Sequence, residues 1–599
     1  MKITCGLIWQ SIIAINLILI RAQNTSKQQI TLKTQLGKIN GFIDIRNARI
    51  FYSIPYGKSP TGNRKFAKPE PFGKWNGNRN GRDPSPFCPQ RKTRWIDLLK
   101  VKIDVDCLKL NIYTPVNITE QLPVMVWIHG GGYVVGGAMS YDGSALAKAG
   151  NVVVVTINYR LGLEGFLSFG DTLVKGNYGI WDQILALRWI KDNIKDYGGD
   201  PNEVTIFGES AGGMSVSLLS LIPSNKGLFK RAIMQSGVAN SLIAFQYGSR
   251  KSHREIGDLL GCPFDDVNSS SLLHCMRQVN MSKIVSATTA IFKTASTQLP
   301  IGPVIDGELF KRPIKEIFND ASSEEIQFFR SLDIIVGTST SDGSVLIRMD
   351  PAIQKHYGFN ISNEGLSYNF LCNVFLPNIV ADHYNGNPAV SDALCKMYGK
   401  PNDQAENSRQ AIKMYGDIFF LFPAVETLTV HATNNEISKT YQYVFSESSL
   451  PFFFEAAVLP PWFEGAGHAT DLIYLFFIEI MQLLNPNLRT DFSDYEFAAK
   501  MRTQWTNFAK YGNPNGPKSN SEDWPTFEAN ERKFLQLSKN NMTVGMNYRG
   551  DQVHFLSKTV PGLIQSANTA ERMRVHLNQN SFFLFLIVSV PGCILYMRG

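Results

Sequence analysis

The stretch Gly208-Glu209-Ser210-Ala211-Gly212 has the pattern G-x-S-x-G, and its flanks give that pattern a structural meaning. Residues 204–207 before it are β-branched or aromatic, which is typical of a short buried strand. Residues 211–221 after it are mostly small or apolar and predict a helix. A serine at such a strand-to-helix turn projects above the sheet, and the flanking glycines let the backbone turn that tightly. The stretch therefore predicts that Ser210 is a nucleophile rather than a structural turn residue.

Strand and helix patterns alternate on both sides of this turn. Residues 124–128 and 152–157 are continuous apolar runs, as in strands that are covered on both faces. Residues 180–194 carry apolar side chains at helical spacing, and shorter strand patterns occur at 232–235, 334–336 and 441–445. The alternation predicts an α/β fold with a large, mostly parallel central sheet flanked by helices. Because no repeat or low-complexity linker interrupts it, we expect one large domain with long insertions.

The N-terminal segment 1–22 has the layout of a secretory signal. Lys2 is followed by a mainly apolar stretch, and Ala22 precedes polar residues. We predict cleavage after Ala22; a membrane anchor is the alternative, which polar residues within the stretch disfavour. Six Asn-x-Ser/Thr sequons fit a glycoprotein of the secretory pathway: Asn24, Asn117, Asn268, Asn280, Asn360 and Asn541.

The C-terminus carries a second targeting pattern. Residues 582–597 are almost wholly apolar, but they are shorter than the ~20 residues that span a bilayer as a helix. Small residues at 566–570 and a polar spacer at 571–581 precede them. This is the layout of a glycolipid-anchor (GPI) signal with Asn568 as the candidate attachment residue, and a single-pass tail anchor is the alternative. The sequence thus predicts a mature domain 23–568 and a terminal segment 569–599, in a protein that is secreted or held at the extracellular face of the cell membrane.

Composition argues against nucleic-acid binding and for disulfides. The formal net charge is +8, but no basic run with interleaved aromatic residues occurs. With 44% hydrophobic residues, the chain of 599 residues can bury a large core. Between the two terminal segments lie six cysteines, an even number that suggests disulfides in an oxidising compartment. Short loops favour Cys88–Cys107 and Cys262–Cys275, and Cys372 with Cys395 could form a third pair.

A serine hydroxyl needs a base to take its proton, and that base needs an oriented carboxylate. The candidate base is His468, in a glycine-containing loop that runs into an apolar, helix-like stretch. The candidate acid is Asp342, in a loop after the strand predicted at 334–336, at the strand end where α/β sites gather; a turn aspartate that caps the next segment is the alternative. The other downstream histidines are expected to be surface or packing residues: His253, His274, His356, His383 and His431.

A glycine-rich loop, His129-Gly130-Gly131-Gly132-Tyr133, directly follows the strand predicted at 124–128. Glycines let successive amides, those of Gly131 and Gly132, point at one oxygen, and the amide of Ala211 at a helix N-terminus can join them. We predict that these three amides form an oxyanion hole. A phosphate-binding loop is the competing interpretation, which fails because neither a GK[ST] ending nor a dinucleotide-type GxGxxG pattern is present. No metal or cofactor is predicted.

Taken in order, these motifs resemble the type-B carboxylesterases, a family that also contains the cholinesterases. The resemblance covers nearly the whole mature chain and rests on DCLKLNIYTP at 106–115, HGGGY at 129–133, NYRLG at 158–162, NYGIWDQ at 177–183, GGDP at 198–201, GESAGG at 208–213 and GHATDLIYLF at 467–476. It implies an α/β-hydrolase fold, a Ser210/His468 pair, and an oxyanion hole formed by Gly131, Gly132 and Ala211. It also implies the disulfides Cys88–Cys107 and Cys262–Cys275.

The chain departs from the family pattern at two positions. The family's acid is usually glutamate in a D-E-G-S context, whereas this chain has Ser341-Asp342-Gly343-Ser344. Asp342 is one methylene shorter, so its loop must lie closer to His468; because aspartate serves in most other serine triads, we interpret it as a tolerated variant. Val105 replaces the acidic residue that commonly precedes Asp106, with a local effect on packing.

We therefore expect hydrolysis of a small-molecule carboxylic ester through an acyl-serine intermediate, with a Ser210–His468–Asp342 triad. Cholinesterase activity is a narrower alternative. It is disfavoured because Trp95, the tryptophan of the first disulfide loop, lies twelve residues before Cys107, and because Leu242-Ile243 stand where an acyl-pocket tryptophan would be. A non-catalytic cell-surface adhesion protein of the same fold is the alternative from another class, and the retained triad and glycine loop argue against it.

Overall fold

The computed structural model describes residues 28–246, 250–262, 269–294, 299–348, 364–448, 450, 460–480, 490–517, 523–567 and 569. The predicted secretory segment 1–22, the candidate attachment residue Asn568 and residues 570–599 of the terminal segment lie outside these residues. So do three of the sequons, while Asn117, Asn280 and Asn541 are exposed. Within the described ranges, none of the helices combines the length and the apolar character needed to cross a membrane.

One large sheet organises the described part of the chain. Its strands are β1 (Gln28–Thr34), β2 (Gly37–Ile43), β3 (Ala48–Pro55), β4 (Asn78–Asn80), β5 (Lys109–Pro115), β6 (Leu122–Ile128), β7 (Val153–Ile157), β8 (Gly199–Glu209), β9 (Arg231–Gln235), β10 (Asp333–Ser339), β11 (Thr440–Phe445), β12 (Lys533–Leu537) and β13 (Thr543–Met546). Their order is β1-β2-β3-β5-β7-β6-β8-β9-β10-β11-β12-β13, with β4 paired to β2. Strands β7, β6 and β8 to β12 run parallel to one another. Strands β1, β2, β3, β5 and β7 pair successively antiparallel, as do β12 and β13, whereas β4 is parallel to β2. The predicted fold class, including the mostly parallel sheet, is confirmed.

Helices flank the sheet. They are α1 (Arg94–Leu99), α2 (Ser144–Gly150), α3 (Gly162–Phe166), α4 (Tyr178–Asn193), α5 (Ala211–Leu219), α6 (Arg250–Leu260), α7 (Ser269–Gln278), α8 (Met281–Thr294), α9 (Ile314–Asn319), α10 (Glu324–Phe329), α11 (Tyr368–Phe370), α12 (Leu376–His383), α13 (Pro388–Tyr398), α14 (Gln404–Gly416), α15 (Phe422–Ala432), α16 (Phe492–Tyr511) and α17 (Gly550–His554). The described ranges also contain four π-helical segments: Leu371–Phe375, Asp417–Leu421, Ile473–Phe477 and Phe555–Thr559.

Strand β6 shows why the apolar runs are continuous. Val124, Val126 and Ile128 face one hydrophobic core, whereas Met125 and Trp127 face a second core on the other side of the sheet. Successive side chains of a strand point to opposite faces, so a strand that is covered on both faces must be apolar at every position. The sheet therefore separates two cores.

The parallel strands bring three of the predicted motifs to one edge. Strands β6, β8 and β10 end at Ile128, Glu209 and Ser339, and the glycine-rich loop, Ser210 and the loop of Asp342 follow them directly. Because parallel strands share the edge at which they end, the three motifs lie on the same side of the sheet. The fold thus collects residues that are far apart in the sequence.

Three disulfides tie the described loops and helices together. Cys88 pairs with Cys107 ahead of β5, and Cys262 pairs with Cys275 of α7. The third bond joins Cys372, in the π-helical segment Leu371–Phe375, to Cys395 of α13. The two favoured pairs and the suggested third pair are all formed.

A buried ion pair and a further buried carboxyl lie beside the glycine-rich loop. Arg160 donates from Nε and Nη2 to the two carboxylate oxygens of Asp182, at 2.8 and 2.7 Å. On α3, whose Gly162 amide donates to the carbonyl of Tyr133, the side chain of Glu164 is only 2% exposed. Neither of its carboxyl oxygens has a hydrogen-bond partner among the described residues. Burial, opposed by the charge of Arg160, raises the pKa of Glu164 to about 7.

Glu164 is expected to make stability depend on pH. In the unfolded chain its carboxyl ionises around the ordinary pKa of 4.5, whereas in the folded protein it stays protonated up to about pH 7. The folded state then holds a proton that the unfolded chain has released, so the free energy of unfolding falls as pH rises through this window. Glu164→Gln should remove this loss and stabilise the protein by up to about 3 kcal/mol near pH 8, with little gain near pH 4.

Thermal unfolding of both proteins at the two pH values measures this difference. The matched control is Glu436→Gln, at an exposed carboxylate, and it should leave the pH dependence of stability unchanged. Equal stabilisation by Glu164→Gln at both pH values would contradict a protonated carboxyl at this position.

Candidate active site

Ser210 lies at the junction of β8 and α5 in a strained backbone conformation. Its φ of 57° and ψ of −126° lie outside the regions that residues with a Cβ adopt readily, at a cost on the order of 1–3 kcal/mol. The amide of Ser210 donates to the carbonyl of Gln235 at the end of β9, and its own carbonyl accepts from Met214 in the first turn of α5, each at 2.9 Å. The sheet holds one side of the residue and the helix holds the other.

The two glycines of the G-x-S-x-G pattern permit this turn. A Cβ on Gly208 would lie 2.6 Å from the carbonyl oxygen of Ile128, and a Cβ on Gly212 would lie 2.1 Å from the same oxygen. Neither distance is compatible with a side chain unless the backbone moves. The first turn of α5 therefore packs directly against the end of β6, which keeps Ser210 at the carboxyl edge of the sheet.

His468 and Asp342 meet because their loops pair. A parallel bridge joins Ser341 to Gly467, and the amide of Ser341 donates to the carbonyl of Ala466 at 2.9 Å. As a result Nδ1 of His468 lies 3.0 Å from Oδ1 of Asp342, with the two side chains 10% and 1% exposed. The bridge brings the loop close enough for the shorter aspartate side chain to reach the imidazole.

The second carboxylate oxygen of Asp342 is also engaged. Oδ2 accepts from the hydroxyl of Ser236 at 2.9 Å and from the amide of Ser339 at 2.8 Å. The amide of His468 in turn donates to the hydroxyl of Ser344 at 2.8 Å. The two bonds to Oδ2 fix the orientation of the Asp342 carboxylate, and the bond to Ser344 holds the backbone of His468 beside it. Sequence reasoning missed Ser236, whose only signal is its position directly after the strand predicted at 232–235.

Glu209, the residue before Ser210, lies on the opposite side of the imidazole. Its Oε1 is 3.1 Å from Nε2 of His468, and its side chain is 5% exposed. The carboxyl group of Glu209 therefore lies beside the imidazole nitrogen that faces away from Asp342.

The glycine-rich loop passes close to Ser210. A Cβ on Gly130 would lie 3.1 Å from the Cβ of Ser210. Gly131 and Gly132 have φ values of 110° and 60°, and a Cβ on Gly131 would lie 2.1 Å from the carbonyl oxygen of Val135. Only glycine fits this combination of backbone angle and close approach. The loop, the serine and the histidine pair thus lie together at one edge of the sheet.

His129 helps to fix the conformation of the glycine-rich loop. Its ring stacks on that of Tyr159 at 4.4 Å between centroids, and its Nδ1 lies 2.9 Å from the carbonyl oxygen of Gly130. Burial lowers the pKa of His129 to about 4, so the ring is neutral at physiological pH. Nδ1 therefore carries a proton that it donates to Gly130.

A buried polar network supports the elbow. Gln235, whose carbonyl accepts from Ser210, donates from Nε2 to Oδ2 of Asp471 at 2.7 Å and accepts from the indole of Trp505 at 3.2 Å. The hydroxyl of Tyr443 also donates to Asp471, at 2.9 Å. Burial raises the pKa of Asp471 to about 6, against the lowering effect of these hydrogen bonds. Asp471 belongs to the GHATD motif, but its network was not predicted.

Apolar rings border the site. The ring of Phe420 lies 4.9 Å from the imidazole of His468, measured between centroids. Cζ of Phe292, on α8, lies 3.6 Å from the position that a Cβ on Gly132 would take. The ring of Phe292 is 40% exposed. The surroundings of the candidate oxyanion hole and of the imidazole are thus aromatic on two sides.

Other residues considered from the sequence lie elsewhere. His431 is buried between Thr440 and the carbonyl of Leu332, where burial lowers its pKa to about 4, as expected for a packing histidine. Leu242 and Ile243 pack against the hydrophobic core. The side chains of Trp95, His253 and His356 lie outside the described part of the structure.

Comparison with known proteins identifies the family of the chain. The model of the carboxylesterase family matches residues 28–556. Similar proteins include the medium-chain fatty acyl-CoA hydrolase precursor of Anas platyrhynchos, 34% identical over 543 residues that cover 86% of this chain and 90% of that protein. The bile salt-activated lipase of Bos taurus is 32% identical over 537 residues, 86% of this chain and 84% of the lipase. Carboxylesterase 1E of Rattus norvegicus is 32% identical over 510 residues, 82% of this chain and 85% of the relative. The chain therefore belongs to the carboxylesterase family, as an enzyme that hydrolyses carboxylic esters.

Proposed function

We propose that the enzyme hydrolyses its ester through an acyl-serine intermediate on Ser210. The supporting observation is the contact between Nδ1 of His468 and Oδ1 of Asp342, beside the strained turn that carries Ser210. With Nδ1 bonded to the carboxylate, Nε2 is the nitrogen that takes a proton. The Ser210 hydroxyl gives its proton to Nε2 as its oxygen bonds to the ester carbonyl carbon.

The tetrahedral intermediate then collapses in the direction of the acyl-enzyme. The bond between the carbonyl carbon and the alcohol oxygen breaks, and the imidazolium of His468 donates its proton to the leaving alcohol. Water repeats the sequence: Nε2 accepts one of its protons, the hydroxide oxygen bonds to the acyl carbon, and Ser210 leaves as the reprotonated hydroxyl. Glu209, next to Nε2, stabilises the imidazolium in both steps.

The amides of Gly131, Gly132 and Ala211 are the proposed oxyanion donors. The positive φ values of both glycines and the position of Ala211 at the N-terminus of α5 support this assignment. Each such donor contributes roughly 10²–10³ to the rate in comparable enzymes. Because Phe420 and Phe292 border the site, the proposed substrates are small esters with an apolar acyl group.

Trapping of the acyl-enzyme tests this mechanism. Rapid acid quench of the protein with p-nitrophenyl esters of increasing acyl length should give a burst of one p-nitrophenolate per active site. Mass spectrometry should then find the acyl group on the peptide that contains Ser210. An acyl group on a different residue, or hydrolysis with no covalent species, would exclude the mechanism. A choline ester in the same panel separates cholinesterase activity, for which we expect low turnover.

We also propose that the mature enzyme is held at the extracellular face of the membrane by a glycolipid on Asn568, which the pattern at 566–599 supports. Cells that express the full chain should lose surface esterase activity when treated with phosphatidylinositol-specific phospholipase C. Activity that stays on the cells, and that a truncation after residue 568 releases into the medium, would instead indicate a tail anchor.

A further inference from the structure

The π-helical turn Asp417–Leu421, between α14 and α15, contacts the imidazole of the site, and the preceding helix α14 contacts the loop of Asp342. Its residue Phe420 is 2% exposed, and its ring packs against the imidazole of His468. Just before the turn, the backbone of α14 passes so close to Gly343 that a Cβ there would lie 1.9 Å from the carbonyl oxygen of Ile412. The turn and its approach therefore border both His468 and the loop of Asp342.

Pro423 explains why the helix is irregular here. In an α-helix the amide of residue 423 would donate to the carbonyl of Phe419, but proline has no amide hydrogen. That carbonyl instead accepts from the hydroxyl of Ser241 at 2.6 Å. Wide turns of this kind are rare and occur frequently at functional sites; here the amide of Phe422 donates to the carbonyl of Asp417 across the turn. The contact with Ser241 therefore helps to hold the turn that carries Phe420.

An ion pair holds the other side of the turn. The buried carboxylate of Asp417 accepts from Nε of Arg549 at 2.7 Å and from its Nη2 at 2.6 Å, and the hydroxyl of Tyr398 donates to it at 2.8 Å. Burial raises the pKa of Asp417 above its ordinary range, and the guanidinium opposes this shift. Arg549 directly precedes α17.

A small apolar cluster reinforces the same junction. Leu421 at the end of the turn and Val425 of α15 pack with Val553 of α17 and with Tyr548. The bidentate geometry of a guanidinium on a carboxylate fixes both distance and plane, which a single contact would not do. Helix α17 and the π-helical turn are therefore joined rigidly, by charge and by packing.

We propose that Asp417 and Arg549 are positioning residues for ester hydrolysis, because their ion pair holds the turn in which Phe420 aligns the imidazole of His468. The inference rests on the proposed role of His468 as the base. A displacement of about 1 Å of a catalytic group can lower the rate by 10². The ion pair thus controls turnover without touching the substrate.

Arg549→Met tests the proposal in the full-length protein. We expect kcat for an aryl ester to fall by about 10- to 100-fold while KM changes little, since alignment and not binding is lost. The acid limb of the pH profile of kcat should move, because the environment of the imidazole changes. Arg549→Lys keeps the charge but not the bidentate geometry, and it should recover part of kcat.

Arg231→Met is the matched control. Arg231, like Arg549, is an arginine paired with acidic side chains, those of Glu203 and Asp333, but it is the first residue of β9, at the amino end of the strand and away from the site. Its replacement should lower the melting temperature and leave kcat and the pH profile unchanged. If Arg549→Met behaves in the same way, losing stability alone, the proposal is wrong.

Two further variants keep the test decisive. If Arg549→Met does not fold, Tyr398→Phe is compared with Arg549→Lys. Tyr398→Phe removes the hydroxyl group that donates a hydrogen bond to Asp417. A fall in kcat at constant KM in both supports the proposal, and unchanged kcat in both overturns it. His468→Gln is measured in parallel. If His468→Gln turns over at the wild-type level, His468 is not the base, and the positioning role of Asp417 and Arg549 fails with it. If His468→Gln is inactive while Arg549→Met is fully active, only the positioning role fails.

Discussion

Ser210→Ala is expected to lower kcat for an aryl ester by a factor on the order of 10⁵–10⁶ and to abolish labelling by an organophosphate. Alanine lacks the hydroxyl that attacks the carbonyl carbon, and only substrate binding and the oxyanion donors remain to accelerate the reaction. Because alanine keeps the Cβ, the strained φ of 57° persists, and the melting temperature should not change. Steady-state kinetics and mass spectrometry of the labelled protein measure both effects.

Ser220→Ala is the control for this variant. Ser220 follows α5, and its hydroxyl donates to the carbonyl of Val216 within the same helix. It should hydrolyse the ester and react with the organophosphate at wild-type rates. A rate in Ser210→Ala equal to that of the wild type would show that Ser210 is not the nucleophile.

Asp342→Asn is expected to lower kcat by roughly 10⁴ with little effect on the fold. Oδ2 of Asp342 accepts from the Ser236 hydroxyl and the Ser339 amide, so the asparagine must direct its carbonyl oxygen to these donors. The amino group of the asparagine then faces Nδ1 of His468. Because this amino group can only donate, Nδ1 must accept and cannot carry a proton. The proton of the neutral imidazole moves to Nε2, which can no longer deprotonate Ser210. The fall in kcat should be largest at pH values too low for hydroxide ion to contribute to the reaction.

Glu209→Gln separates the two carboxylates that contact the imidazole. Glu209 contacts Nε2 rather than Nδ1, so its replacement leaves the tautomer unchanged and should cause a smaller loss than Asp342→Asn. The reverse order of effects would mean that Glu209, and not Asp342, orients His468. Kinetics of the two variants on the same ester decide between them.

The central strands were predictable, while the edges of the sheet were not. Strands β6 and β8 contain their predicted runs, and β7 matches the run at 152–157 except for its first residue, because burial on both faces forces apolar residues at every position. At the edges, β1 and β13 are largely exposed and carry no such run. Their pairing comes from backbone hydrogen bonds, which leave little trace in side-chain pattern. The strand predicted at 334–336 extends over Asp333–Ser339 because its polar end is buried against the site.

In the candidate site, too, some features were predictable from the sequence and others were not. The glycine-rich loop and the turn around Ser210 were predicted from short glycine patterns, although the close approach of Gly208 and Gly212 to Ile128 forms only in the folded chain. Ser236, Glu209 and Phe420 were not predicted to contact the histidine or its acid. Ser236 contacts Asp342, and Phe420 contacts His468, from elements distant in the sequence. Glu209 contacts the nitrogen of the imidazole that faces away from Asp342, which no local pattern indicates.

A short stretch of residues was enough to predict a serine at a strand-to-helix turn, because the strand pattern, the two glycines and the helix pattern all lie within a few positions of Ser210. The pairing of His468 with Asp342 depends instead on two loops whose residues are 126 positions apart. The bridge between Ser341 and Gly467 joins those loops at the carboxyl edge of the sheet. Hydrogen bonds formed only in the folded chain therefore decide which acid meets which histidine, and how closely the shorter aspartate approaches the imidazole.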